Sequence, residues 1–76
     1  MSPKLPRVTA EDLLRALRRN GCREARQRGS HIVLVHERKP GIVVVPRHKG
    51  QGLPPGLIAR ILRDAALTPD ELRMLL

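Results

Sequence analysis

The sequence predicts an α+β domain in the order α-β-β-β-α with a short C-terminal helix. Its three-stranded antiparallel sheet carries helices on one face. Three observations predict this. Ala10, Leu13, Leu14 and Leu17 recur at i, i+3, i+4, i+7, and so do Ile58, Ile61, Leu62 and Ala65. Between these helical stripes lie two β-branched runs, residues 31–36 and 42–45. Tight glycine-containing turns separate the extended segments, which implies a meander.

Residues 1–8 form a polar, proline-punctuated lead-in that is expected to be flexible, and residues 9–76 form a single domain. Thr9 caps the first helix with its hydroxyl, and Glu11 and Asp12 occupy the first turn, where the macrodipole favours acids. Asn20-Gly21 ends it, with Gly21 free to take the left-handed conformation. Residues 22–28 are polar and read as an edge strand. Gly29-Ser30 and Lys39-Pro40-Gly41 are turns. The runs at 31–36 and 42–45 are apolar almost throughout, so they read as inner strands buried on both faces. Two helices cover only one face of a small sheet, so a partner protein or a second copy is expected to cover the other. Pro55 suits the first turn of the next helix. Thr68-Pro69-Asp70-Glu71 is a capping box that opens a terminal helix carrying Leu72, Leu75 and Leu76.

Seventy-six residues make one domain, and there is no Phe, Tyr or Trp. The core must be built from Leu, Ile, Val and Ala. Small chains bury proportionally little surface, so a marginally stable monomer is expected, one that gains from a partner or from self-association. Fifteen Lys and Arg against seven Asp and Glu give a net charge of +8. Six arginines (15, 18, 19, 23, 26, 28) face one acid, Glu24, between residues 15 and 28. Arginine presents a planar donor fork that suits phosphate, so a polyanion is the expected partner. A solvated basic surface that keeps a small protein soluble is the competing reading. The single cysteine, Cys22, excludes an internal disulfide and a Cys-rich zinc site. Residues 1–10 do not read as a signal peptide, and no apolar run reaches membrane-spanning length. A cytoplasmic protein with no membrane contact is expected.

The chemistry concentrates in Arg26-Gln27-Arg28-Gly29-Ser30-His31. Histidine is the side chain suited to proton transfer near neutral pH. Placed at the mouth of a strand, beside Arg26 and Arg28, His31 would meet a proton partner next to bound phosphate. RNA carries its own nucleophile, the 2′-hydroxyl. One histidine that takes that proton or protonates the leaving 5′-oxygen suffices, with arginines stabilising the developing charge and no metal required. The bland reading is a half-exposed histidine at a strand end. His48, between Arg47 and Lys49, is a candidate phosphate contact in a loop. His36 reads as a surface residue near a turn. Ser30 lacks an acid–histidine relay and reads as a hydrogen-bonding turn residue or phosphate contact. Lys49-Gly50-Gln51-Gly52 lacks the full P-loop pattern. The three histidines lack metal-ligand spacing.

The chain resembles the HicA (YcfA-like) family of mRNA interferase toxins. The resemblance rests on Leu13-Leu14-Arg15-Ala16-Leu17 with Asn20-Gly21, and on Arg26-Gln27-Arg28-Gly29-Ser30-His31. It continues through Val45-Pro46-Arg47-His48, through residues 55–63 and through Thr68-Pro69-Asp70-Glu71-Leu72. It implies a double-stranded-RNA-binding-like fold and a metal-independent endoribonuclease, needing no cofactor, that cleaves mRNA and halts growth. The family's catalytic histidine falls on His31, with Arg26, Arg28, Ser30, Arg47, His48 and Lys49 expected to hold RNA. A HicB-like antitoxin is the implied protein partner. Two positions depart from the family: Cys22 and Leu34 stand where members commonly carry aromatics, which softens the packing and leaves the chemistry in place. A non-catalytic RNA-binding module of the same fold is the alternative, since basic αβββα domains read RNA by shape and phosphate contacts.

Overall fold

Thr9 starts the first helix, α1 (Ala10–Arg19), with a capping box: its hydroxyl accepts from the Asp12 amide at 3.1 Å, and the Asp12 carboxylate accepts from the Thr9 amide at 3.2 Å. Those bonds, with Arg15 adding its charge, hold the Asp12 carboxyl below the usual carboxylate range. The structure is a computed structural model and describes residues 8–47 and 52–76. Residues 1–7 of the expected 1–8 lead-in lie outside the described residues, but Val8, its last member, does not behave as assigned. Val8 is buried, and its carbonyl accepts from the Leu53 amide at 2.9 Å. An apolar side chain beside the helix start is drawn into the core whatever the prolines before it do.

Gly21 takes φ 99° and turns the chain into β1 (Cys22–Arg28). The backbone angle demands glycine, and a Cβ there would also press on the His36 ring, 3.0 Å from its Nε2. β2 (His31–His36) and β3 (Ile42–Pro46) follow, and the sheet order is β1-β2-β3, antiparallel throughout. Ile32, Leu34, Val43 and Val45 point to the helices. The expectation of two doubly buried inner strands fails for β3. With three strands in sequence order only β2 is central, so β3 is an edge and alternates, with Ile42 55% and Val44 36% exposed. On the same outer face Val33 is buried, flanked in register by Arg26 and Val44.

α2 (Pro55–Asp64) begins with proline at its first positions and buries Ile58, Ile61 and Leu62. It closes with the amides of Ala66 and Leu67 bonded to the carbonyls of Arg63 and Leu62, with Ala66 at φ 56° where glycine is usual. α3 (Pro69–Leu75) opens on the Thr68–Glu71 capping box and packs on α1. Of the three leucines expected in it, Leu76 falls just past its end and only Leu72 enters the core fully. Leu75 is half-buried and Leu76 is exposed, because a seven-residue helix at the rim has one inward turn. Cys22 and Leu34, the two positions that depart from the resembled family, both sit in this core. Burial pushes the Cys22 thiol up, against a smaller opposing pull from Lys39, so the sulfur is a packing group. Among the described residues no helix is long and apolar enough to cross a membrane.

Candidate nucleic-acid interface

The β1–β2 hairpin builds the candidate site. Arg28 and His31 are the last cross-strand pair, and Gly29-Ser30 forms the two-residue turn between them. Gly29 takes φ 58° while Ser30 stays at negative φ, the pattern of a II′ hairpin turn. Gln27 Nε2 donates to the Gly29 carbonyl at 3.0 Å and braces the turn. The Ser30 carbonyl accepts from the Arg47 amide at 2.6 Å, which ties the turn to the end of β3. His31 is exposed at the start of β2, held between Arg28 on one side and Pro46 on the other.

A β-bulge decides which arginines accompany it. The register is continuous from Cys22 to Glu24, shifts, and resumes at Arg26, leaving Ala25 as the extra residue. Strict alternation from the outward Arg23 would have sent Arg26 and Arg28 to the helix side. The extra residue reverses that parity. Arg23, Arg26 and Arg28 therefore pair with Val35, Val33 and His31, and all three lie on the sheet's outer face. Cross-strand partners on one face sit about 4.5–5.5 Å apart at Cβ, so His31 has a guanidinium-bearing neighbour and a row of two more behind it.

The arginine cluster read from the sequence splits in two. Arg15 pairs with Asp12 at 2.6 Å, Arg18 with Glu24 at 2.8 Å, and Arg19 donates to the Leu75 carbonyl at 2.8 Å. These α1 arginines tie the helix layer to itself and to β1. Arg23, Arg26 and Arg28 are exposed and have no side-chain partner among the described residues. Arg23 was missed by sequence reasoning, because nothing about Ala25 announces a bulge.

Arg47 is placed differently from Arg26 and Arg28. Its Nε lies 2.9 Å from Glu11 Oε1 in α1, an ion pair whose N–H is not aligned for a hydrogen bond. It links the start of α1 to the end of β3, beneath the turn that carries Ser30. His48 and Lys49 lie outside the described residues. His36 is a structural residue: its Nδ1 accepts from the Arg38 and Lys39 amides at 2.9 and 3.2 Å, which leaves Nε2 to donate to the Asn20 carbonyl at 2.8 Å. It pins the β2–β3 turn to the end of α1. No group of three or more metal-ligating side chains gathers among the described residues.

On the side of His31 away from the arginines lies an open groove of about 430 Å³. Pro46 and Val44 of β3 and Leu57, Arg60 and Asp64 of α2 line it, with His31 at one end. The imidazole thus stands between a cationic row and a trough of mixed aliphatic and charged lining.

Residues 10–67 match the family model described as HicA toxin of bacterial toxin-antitoxin. No curated protein matches the chain. The match covers both helices that form the main inner layer, all three strands and the hairpin bearing His31. It spans well over half of the 76 residues, and the chain belongs to the HicA toxin family of bacterial toxin–antitoxin systems.

Proposed function

We propose that this toxin is a metal-independent endoribonuclease that cleaves mRNA, with His31 as its general acid or base. The single observation that supports the reading is the hairpin end. An exposed imidazole sits on a rigid central strand, in register with Arg28 and on the same face as Arg26 and Arg23. The 2′-oxygen of a ribose attacks the adjacent phosphorus, the bond to the 5′-oxygen breaks, and a 2′,3′-cyclic phosphate and a 5′-hydroxyl result. His31 carries one of the two proton transfers, water the other. Arg26 and Arg28 bind the phosphate whose charge grows in the transition state. Ser30 offers a hydroxyl at the turn, and Arg47, His48 and Lys49 complete the RNA contacts. Arg47 does so by exchanging Glu11 for a phosphate.

Its partner in the toxin–antitoxin pair is, in this reading, a HicB-like antitoxin that covers the His31 face. Incubating the purified chain with a transcript in EDTA is the test. New discrete ends carrying cyclic phosphate are expected, and His31→Ala should lower cleavage by roughly 10²–10⁴-fold while leaving thermal unfolding unchanged. A salt-sensitive mobility shift without new ends would instead assign a non-catalytic RNA-binding module.

A further inference from the structure

We propose that the groove between β3 and α2 is a nucleobase subsite and that Arg60, with Asp64, reads guanine there. The inference rests on the endoribonuclease reading and adds a cut-site preference to it. His31 divides the outer surface. The arginine row of β1 lies on one side, and on the other the groove runs off along β3. In a ribonucleotide the base hangs on the sugar carbon next to the one bearing the 2′-hydroxyl. With the phosphate over Arg26 and Arg28 and the 2′-hydroxyl at His31, the base of that nucleotide falls on the opposite side, into the groove.

The groove's lining suits a flat heteroaromatic ring. Its walls are mainly aliphatic, from Val44 and Pro46 of the sheet and Leu57 of the helix. Sites for small planar ligands combine such walls with a few placed polar groups. Besides His31 the charged groups lining it are Arg60 and Asp64, four residues apart on α2. Their order along the trough is fixed. Asp64 also lines a second, small pocket with Gly41 and Ala65 at the start of β3, whereas His31 pairs with Pro46 at its end. α2 therefore runs antiparallel to β3, and Arg60 comes before Asp64 on the way out from His31. Neither makes an ion pair with the other or with any other described residue.

That pair distinguishes the bases. Arginine's fork matches the O6 and N7 acceptors of guanine, whereas adenine offers an acceptor and a donor on that edge. Residues four apart on a helix lie about 5–6 Å apart at Cβ, the scale of one purine. Asp64 is thereby placed to accept from the N–H donors on guanine's other edge. Single-stranded RNA exposes both edges.

The test digests a transcript carrying a randomised single-stranded window and sequences the new ends. The unaltered chain should cut beside guanine roughly tenfold more often than beside adenine. Arg60→Met, which keeps an unbranched stem and removes every donor to O6 and N7, should bring that ratio near one. The ratio is independent of how much enzyme is folded, so a merely destabilising variant would not move it. A chain without guanine preference, or an Arg60→Met variant that retains it, overturns the subsite. Should the chain cut no RNA at all, the endoribonuclease reading fails and the groove is judged by binding alone. Methyl NMR with guanosine 3′-monophosphate should then shift Val44, Leu57 and Ile61 more than adenosine 3′-monophosphate does. Equal or absent shifts reject the subsite.

Discussion

On the inner face of the sheet Ile32, Leu34, Val43 and Val45 are at most 5% exposed; one step along the same strands, His31, Ile42 and Val44 are open to solvent. The inner side chains meet α1 and α2 and close the core. The outer ones, with Arg23, Arg26 and Arg28, form a surface in which aliphatic and cationic stripes run side by side. The difference teaches where this small aromatic-free domain keeps its stability. Nearly all of it must come from one side of one sheet, which leaves the other side free to carry charge that no acid among the described residues pairs with.

The largest effect should come from truncating the inner face. Leu34→Ala removes a fully buried side chain from the central strand and should cost about 2–5 kcal/mol. Ile42→Ala on the outer edge should cost less than about 1 kcal/mol, since the residue is already half in water. Paired urea unfolding curves would check both. Similar losses would mean that the outer face is not the free surface described.

Next in size is the charge of the outer face. If Arg26 and Arg28 each neutralise a phosphate, Arg26→Ala and Arg28→Ala should each lower the salt slope of RNA affinity by about 0.7. Stability should stay within about 0.5 kcal/mol of the unaltered chain. Arg18→Ala, on the helix side and paired with Glu24, is the control and should leave the salt slope in place. A slope that follows Arg18 instead would move the RNA footprint to α1.

Much of the fold was legible before any coordinates. The stripes of Leu13, Leu14 and Leu17 and of Ile58, Ile61 and Leu62 and both threonine capping boxes carry local signals, and each element formed where its signal lies. What was not legible depends on neighbours. The exposed edge position of β3 follows from strand order, which no run of valines encodes. Val8 looked like lead-in because its backbone partner, the Leu53 amide, lies 45 residues away. At the candidate site, His31 and its turn were readable from Gly29-Ser30. The company His31 keeps was not, since it hangs on which residue bulges. The engagement of Arg47 by Glu11 is likewise a tertiary fact.

The bulge itself can be removed. Deleting Ala25 should convert β1 to a regular strand with Arg23, Arg26 and Arg28 still facing outward, since the deleted residue is the one without a partner. RNA affinity and stability are expected within about 0.5 kcal/mol of the parent. A large loss of RNA binding with folding intact would show that the bend at Ala25, rather than the parity it restores, aims the arginines at their ligand.

The smallest effect concerns the helix layer and acid. The Asp12 carboxyl titrates below its ordinary value because it accepts from the Thr9 amide and lies beside Arg15. A group whose folded pKa is depressed contributes stability above its unfolded pKa and loses it as pH falls through the folded one. The contribution is therefore full at neutral pH and fades below about pH 4. At an exposed helix start it amounts to about a few tenths of a kcal/mol. Asp12→Asn should lower the melting temperature slightly at pH 7, and the gap to the parent should close in acid. Because Asp12 belongs to the helix layer, RNA affinity at pH 7 should not follow it. If it did, the two faces of the sheet would be coupled through α1, and the separation between a stabilising side and a presenting side would not hold.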